Sequence, residues 1–337
     1  MNMTRYGGPP QIFSMKQIQN MSRNDQLHGP YDIVYTGGEA LGCTHKCGVS
    51  MLSTLELRQL AMKEKIYDCA YLVPKQLLLP KQPRSDQTNY AVVNSMGGSS
   101  KDACRTAVDI ADFKGYRDKG TLTPDSAVMT KELFYRDIDD MAKVVSDELG
   151  SFFREAQVSS GRYIAVQHKQ KGADTRALAQ TLDLVSRHMN VPVIFFAAGT
   201  APTHDNFAIY DEISSLMEER NFVYRSKHAL KVVALISGAE AVLGTSLQVR
   251  IMAFIHFKPR ITWCSEMKHR KFIELWDASN APSCVKVDDT LPILAKYVGT
   301  LPEITQDETI AVYEKTVRQY VSFFDGWSSK LLQNNNP

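Results

Sequence analysis

At 337 residues the chain exceeds what one hydrophobic core organises and suits two domains of about 130 to 180 residues each. A hydrophobic share of 44% and a charged share of 23% are those of an ordinary globular protein, which excludes a disordered chain apart from its ends. With 39 basic against 37 acidic residues, interspersed and summing to +2, there is no broad positive field, which excludes non-specific capture of nucleic acid and leaves a local anion site.

Six cysteines are too few for a disulfide scaffold, and their spacing suggests no pairing, so a reducing, cytoplasmic setting is expected. The first thirty residues carry Arg5, Lys16 and Arg23 without an apolar run of signal-peptide length. The most apolar stretch is interrupted by Lys231, Glu240 and Arg250, so no integral membrane segment is expected.

Residues 1–30 read as an irregular lead-in, 31–150 as an N-terminal lobe, 151–300 as a C-terminal lobe and 301–332 as a closing helix packed on the lobes. In the first lobe, Asp32 to Tyr35 predicts a buried strand ending on Gly37 and Gly38, and Ser50 to Lys65 a helix. Strands follow at Ala70 to Pro74 and Ala91 to Ser95, then a helix over Lys101 to Ile110. Pro124 keeps Thr123 to Val128 out of a central strand. A helix over Ile138 to Ala156 is expected to link the lobes.

The second lobe alternates more clearly. Strands are predicted at Tyr163 to His168, Val191 to Ala198, Phe222 to Tyr224, Ala241 to Gly244 and Arg260 to Cys264. Helices fall between them at Thr175 to Met189, Phe207 to Glu219, Ala229 to Ser237 and from Ser246 onward. In the first helix Leu178, Leu182, Val185 and Met189 share one face. Such alternation requires crossovers and a mostly parallel sheet, hence a Rossmann-like lobe. Thr305 and Glu308 have capping-box spacing and are expected to start the last helix.

The segment Ile236 to Phe254, ISGAEAVLGTSLQVRIMAF, brings a strand to Gly244, Thr245 and Ser246 and leaves at once as a helix. The first N–H groups of that helix then point at the crevice beyond the strand ends, an anion site that Arg250 can reinforce. The alternative is that Ser246 is an N-cap and Arg250 a solvated surface residue.

From Ala229 to Trp276, this segment together with PRITWC and KHRKFIELW resembles the C-terminal lobe of the polysaccharide pyruvyl transferase family. Weaker similarity runs back through VPVIFFAAG, YIAVQHKQ, ADFKGYRDKGTLTPDSAV and YTGGEALG, so that it covers about residues 90–300, with a fainter match at 35–42. The resemblance implies an α/β fold of the glycosyltransferase-B kind, two Rossmann-like lobes with mostly parallel sheets facing across a cleft. It also implies transfer of a pyruvyl group from phosphoenolpyruvate to a sugar of a polysaccharide or its precursor, with phosphoenolpyruvate as donor substrate and no cofactor or metal. The partner would be a sugar or a nucleotide- or lipid-linked sugar, and assembly as a homo-oligomer is compatible with it.

Family members place Arg-Leu-His after the Gly-Thr turn where this chain has Ser246, Leu247 and Gln248, and often an arginine where it has His168 and Lys169. On this reading Lys169 and Arg250 bind the donor's anionic groups, Ser246 and Gln248 orient it, and Glu39 or His204 handles protons. His168, Gly244, Thr245 and Lys268 complete the substrate contacts.

Each outlying candidate has a plain counterpart. Glu39 is a base at a strand end or a solvated loop residue, and His204 with Asp205 faces the crevice or forms a turn in which Asp205 N-caps the following helix. Lys268, His269, Arg270 and Lys271 bind a diphosphate or form a solvated helix end. Cys43, His45 and Cys47 lack a second ligand pair, so no metal site is assigned. Signatures of P-loop, dinucleotide-fingerprint and serine-hydrolase chemistry are missing. Two further functions fit the same architecture: glycosyl transfer from a nucleotide sugar, and non-catalytic binding of a glycan or protein.

Overall fold

The computed structural model describes residues 123–158, 161–169, 174–199, 205–264, 267–299 and 302–334, and in the N-terminal part three strands. The chain divides into two compact units, Met1–Ser126 with Arg318–Pro337, and Ala127–Val317. In the first, β1 (Ile33–Thr36), β2 (Ala91–Met96) and β3 (Phe113–Tyr116) form a parallel sheet in the order β1-β2-β3. Val34 lies opposite Val92, and Val92 opposite Phe113. The expected helices over 50–65 and 101–110 and the strand over 70–74 lie outside the described residues, as do Glu39, His204 and the Cys43, His45, Cys47 triplet.

A short 3-10 turn at Ser126–Met129 spans the boundary, and helix α1 (Thr130–Glu155) follows in the second unit. Chain order then runs β4 (Ile164–Gln167), α2 (Thr175–Met189), β5 (Val193–Phe196), α3 (Phe207–Leu216), β6 (Asn221–Tyr224), α4 (Ala229–Gly238), β7 (Ala241–Gly244), α5 (Leu247–Ile255) and β8 (Arg260–Thr262). All five strands are parallel, in the order β6-β5-β4-β7-β8. The chain builds outward from β4 to β6, returns through α4 and builds the other way. The reversal lies between β4 and β7, where doubly wound sheets open a crevice beyond their carboxyl ends.

Local chemistry accounts for the elements. Every residue of β4, β5 and β7 is buried, as a sheet covered on both faces demands. Asp174 caps α2 by accepting from the Ala177 N–H (3.0 Å), and Asn190 ends it in the left-handed region at φ 52°. Leu178, Leu182 and Val185 turn inward against Ile164, Val166 and Phe195.

The helix expected to join the lobes instead begins at Thr130 and lies in the second unit. Glu148 accepts hydrogen bonds from Tyr224 (2.5 Å) and Lys231, and Phe152 stacks on Phe222 at 5.1 Å. Two helices follow β8: α6 (Met267–Trp276), which takes in the basic cluster that the sequence allows as a helix end, and α7 (Thr290–Gly299), which the sequence reading did not contain. The last helix, α8 (Pro302–Asn334), starts three residues before Thr305. Proline has no N–H to lose at that position. Glu308 therefore closes no capping box; it accepts from the Ser279 N–H (2.9 Å) and hydroxyl (2.6 Å).

The expectation of unpaired cysteines is corrected by a disulfide between Cys264 and Cys284. The pair, 20 residues apart, meets because residues 284–285 return beside β8: Thr262 bridges to Cys284 in parallel, and the Val285 N–H donates to the Thr262 carbonyl (3.0 Å). Among the described residues no helix is long and apolar enough to cross a membrane.

Gly238, at the end of α4, shows how closely the unit is packed. A Cβ there would stand 2.7 Å from the hydroxyl oxygen of Tyr163, a buried ring that donates to the Leu235 carbonyl (2.6 Å). Gly238→Ala should therefore cost about 1 to 3 kcal/mol in urea unfolding. Since the ring carbon behind that oxygen is 3.6 Å away, Tyr163→Phe should relieve part of the cost, giving a double-mutant cycle that is less than additive.

Candidate functional site

The carboxyl ends of β4 and β7 are joined by one side chain. Gln167, fully buried at the end of β4, turns its carboxamide oxygen to the start of α5 and accepts from the N–H groups of Thr245 (3.1 Å) and Ser246 (2.9 Å). Its amide nitrogen donates to Asp205 (2.8 Å), whose other oxygen accepts from the Ala198 N–H (2.7 Å) beyond β5. Three strand ends are thereby held by a single carboxamide–carboxylate chain. The Lys169 N–H adds a bond to the Thr245 hydroxyl (2.9 Å), and the Tyr210 hydroxyl, beside Asp205, accepts from the His168 N–H (3.3 Å).

This arrangement specifies Gly244. A Cβ there would lie 3.0 Å from the Gln167 carboxamide oxygen and 3.1 Å from its carbonyl oxygen, so the glycine lets β7 approach β4. It also changes the anion site expected from the sequence. The Thr245 and Ser246 donors are engaged by Gln167, and the Ser246 side chain caps nothing. Gln248 and Val249 of the next turn line a cleft beside it, and the first intrahelical bond runs from the Arg250 N–H to the Ser246 carbonyl (3.2 Å).

Arg250 is the principal correction. Neither a crevice cation nor a solvated residue, it is 2% exposed and points into the unit. Its Nε donates to Asp277 (2.7 Å), Nη1 to the Thr262 hydroxyl (3.0 Å) and Nη2 to the Pro282 carbonyl (2.9 Å). Arg260, also buried, donates through Nε to both Asp277 oxygens (3.1 and 3.2 Å) and through Nη2 to Oδ1 alone. Burial pushes the Asp277 carboxyl upward, but the two guanidiniums outweigh it and hold it below the usual carboxylate range. The donor-binding role assigned to Arg250 is thus replaced by a structural one, because Asp277 takes up its guanidinium.

The other candidates separate. His269 is buried and its Nε2 lies 3.1 Å from the Thr245 carbonyl oxygen, whereas Lys271 pairs with Glu274 (2.8 Å) on the surface. Lys268 occupies the first turn of α6, half-buried, and Lys169 is exposed. The basic cluster is consequently no uniform patch. Asp205 caps no helix, since it is engaged by Gln167 and Ala198; Asn206 caps α3 through the Ala208 N–H (3.0 Å). His168 is 1% exposed, edge-on to Trp263 at 5.9 Å, with neither ring nitrogen hydrogen-bonded. Burial pushes its imidazole down to about 4.

Beside the turn lies a cleft of about 170 Å³ that the sequence reading missed apart from Gln248. Its floor is Val232, Val233 and Ile236 of α4 with Val249 and Met252 of α5, and Ala197 to Gly199 form one edge. Lys227, exposed just before α4, stands at its rim with Gln248. The available signal was the apolar face of α4 ending at a lysine. Among the described residues no group of three or more His, Cys, Asp or Glu could hold a metal ion.

Neither a family model nor a curated protein matches the chain in sequence. Among solved structures it is similar to the UDP-GlcNAc 2-epimerase of Neisseria meningitidis bound to UDP-GlcNAc, at 10% identity over 94% of this chain and 83% of that one, with a TM-score of 0.54. It is also similar to S. aureus MnaA in its structure with UDP, at 9% identity over 91% and 81% of the two chains and a TM-score of 0.50. The fold is of the glycosyltransferase-B type. Identity this low carries the fold and nothing finer.

Two outcomes follow from the buried groups. Asp277→Asn leaves two buried guanidiniums facing a neutral amide and should lose about 3 to 5 kcal/mol in urea unfolding, whereas Lys169→Ala should change stability by less than about 0.5 kcal/mol. For His168 the folded-state pKa of about 4 lies below the unfolded value of about 6.5. Its contribution is therefore complete above that unfolded value and is lost as pH falls toward 4. His256, also held at about 4 by burial and by Lys131 and Lys258, adds to the same slope. His168→Phe should flatten the loss of stability between pH 6.5 and 4.5 without abolishing it, read from urea midpoints across that range.

Proposed function

We propose that the chain is an enzyme acting on a nucleotide sugar, with glycosyl transfer as its reaction, and that the Ala127–Val317 unit holds the nucleoside diphosphate. The observation that carries this reading is the pairing of an apolar cleft with the first turn of α5 at the point where the strand order reverses. A flat base suits walls of Val232, Val233, Ile236 and Met252. The diphosphate then meets the positive end of α5 and the Lys227 ammonium.

In such a transfer the bond from the sugar's anomeric carbon to the diphosphate breaks, and negative charge builds on the departing phosphate. A helix end already fixed by Gln167 and Asp205 needs no reorganisation to meet that charge. In this reading Lys169, whose N–H bonds the Thr245 hydroxyl, and Lys268 of α6 extend the positive edge. The two solved neighbours were captured with UDP-GlcNAc and with UDP, which supports the same class of ligand.

Pyruvyl transfer remains the second reading because residues 229–276 resemble that family. It would use the same edge of the sheet, but with Arg250 sequestered by Asp277 it must bind phosphoenolpyruvate through lysines.

Calorimetric titration with UDP, UDP-GlcNAc and phosphoenolpyruvate separates them. UDP should bind, and Lys227→Ala should weaken it about tenfold, near 1.4 kcal/mol. Binding of UDP that is indifferent to Lys227→Ala and Gln248→Ala would remove the cleft from the reading. Phosphate released from phosphoenolpyruvate, with no affinity for UDP, would assign the chain to pyruvyl transfer.

A further inference from the structure

We propose that Cys264 and Cys284 form a redox-responsive clasp that controls the turn after β7, whichever ligand that turn serves. Their bond closes the loop containing α6. Cys264 follows Trp263, whose N–H donates to the Gly244 carbonyl (2.9 Å), and precedes the helix whose His269 meets the Thr245 carbonyl. The disulfide thus sits at the amino end of α6, beside the residues that contact the site.

The rest of the loop has anchors of its own. Phe272 packs edge-on against Phe254 at 6.2 Å, Asp277 is held by Arg250 and Arg260, and residues 284–285 pair with Thr262. Opening the disulfide leaves these in place and removes the covalent tie at Cys264, next to Trp263. The consequence is local, at Lys268, His269 and the Thr245 turn. Both cysteines are half-buried, so a small thiol can reach them.

The exchange balances with a glutathione-type partner. A thiolate attacks one sulfur, the Cys264–Cys284 bond breaks and a mixed disulfide forms. A second thiolate then attacks that mixed disulfide, so the two cysteines gain two electrons and two protons while two thiols become one disulfide; glutathione disulfide reverses the sequence.

The full chain, equilibrated in glutathione buffers from reducing to oxidising, is read in two ways: peptide mass spectrometry after thiol blocking, and amide hydrogen exchange. The pair should open within that range. On opening, exchange at 245–249 and 267–271 should rise about tenfold while α2 stays unchanged. Cys284→Ser should exchange like the reduced chain in either buffer. A bond that stays closed throughout, an opening without local change, a rise in α2 of equal size, or a Cys284→Ser chain that exchanges like the oxidised protein overturns the proposal.

Discussion

The carboxamide of Gln167 is the point on which the edge of the second sheet depends. Buried at the last position of β4, it spends its oxygen on the two N–H groups that open α5 and its nitrogen on the carboxylate that orders the chain beyond β5. A charged side chain there would bring a desolvation cost, and an aliphatic one would leave buried donors unpaired. The amide satisfies both partners and brings no charge. Gly244 follows from it, since β7 reaches Gln167 only without a Cβ.

A second constraint sits behind the first. Arg250 belongs to the helix that begins at this edge, yet it is drawn inward to Asp277, at the end of α6, and shares that carboxylate with Arg260 on β8. One acid against two guanidiniums leaves a buried excess of positive charge, tolerable because the remaining arginine donors meet Thr262 and the Pro282 and Lys258 carbonyls. The network fixes α5, β8 and α6 together.

Much of the second unit was legible because its signals are local. Helix α2 falls at Thr175–Met189 as its apolar spacing directs, and the run at 241–244 is buried at every position. What escaped depends on long-range contacts. Asp277 is 27 residues from Arg250, and nothing in the intervening sequence shows that α6 carries it back. Cys284 meets Cys264 only through a parallel bridge at Thr262. The Thr305–Glu308 spacing read as a cap because the pattern is short, whereas Pro302 begins the helix and Ser279 takes the glutamate. The cleft was missed for a related reason: its floor comes from α4 and α5, whose apolar residues read singly as core.

The charge placed around the turn bears on which chemistry the fold can support. Phosphoenolpyruvate presents a carboxylate and a phosphate on a three-carbon frame, so its recognition rests on closely placed cations and gains little from an apolar wall. At this edge the strongest cation faces inward, Gln167 engages the Thr245 and Ser246 N–H groups ahead of α5, and His168 is neutral above about pH 4. The cleft beside the turn is instead lined by aliphatic side chains, with Lys227 at the rim. A ligand that buries a large uncharged part and exposes a compact diphosphate draws on both features, and a nucleotide sugar has that distribution. On the proposed reading, binding energy comes from the nucleoside and the helix end serves the departing phosphate.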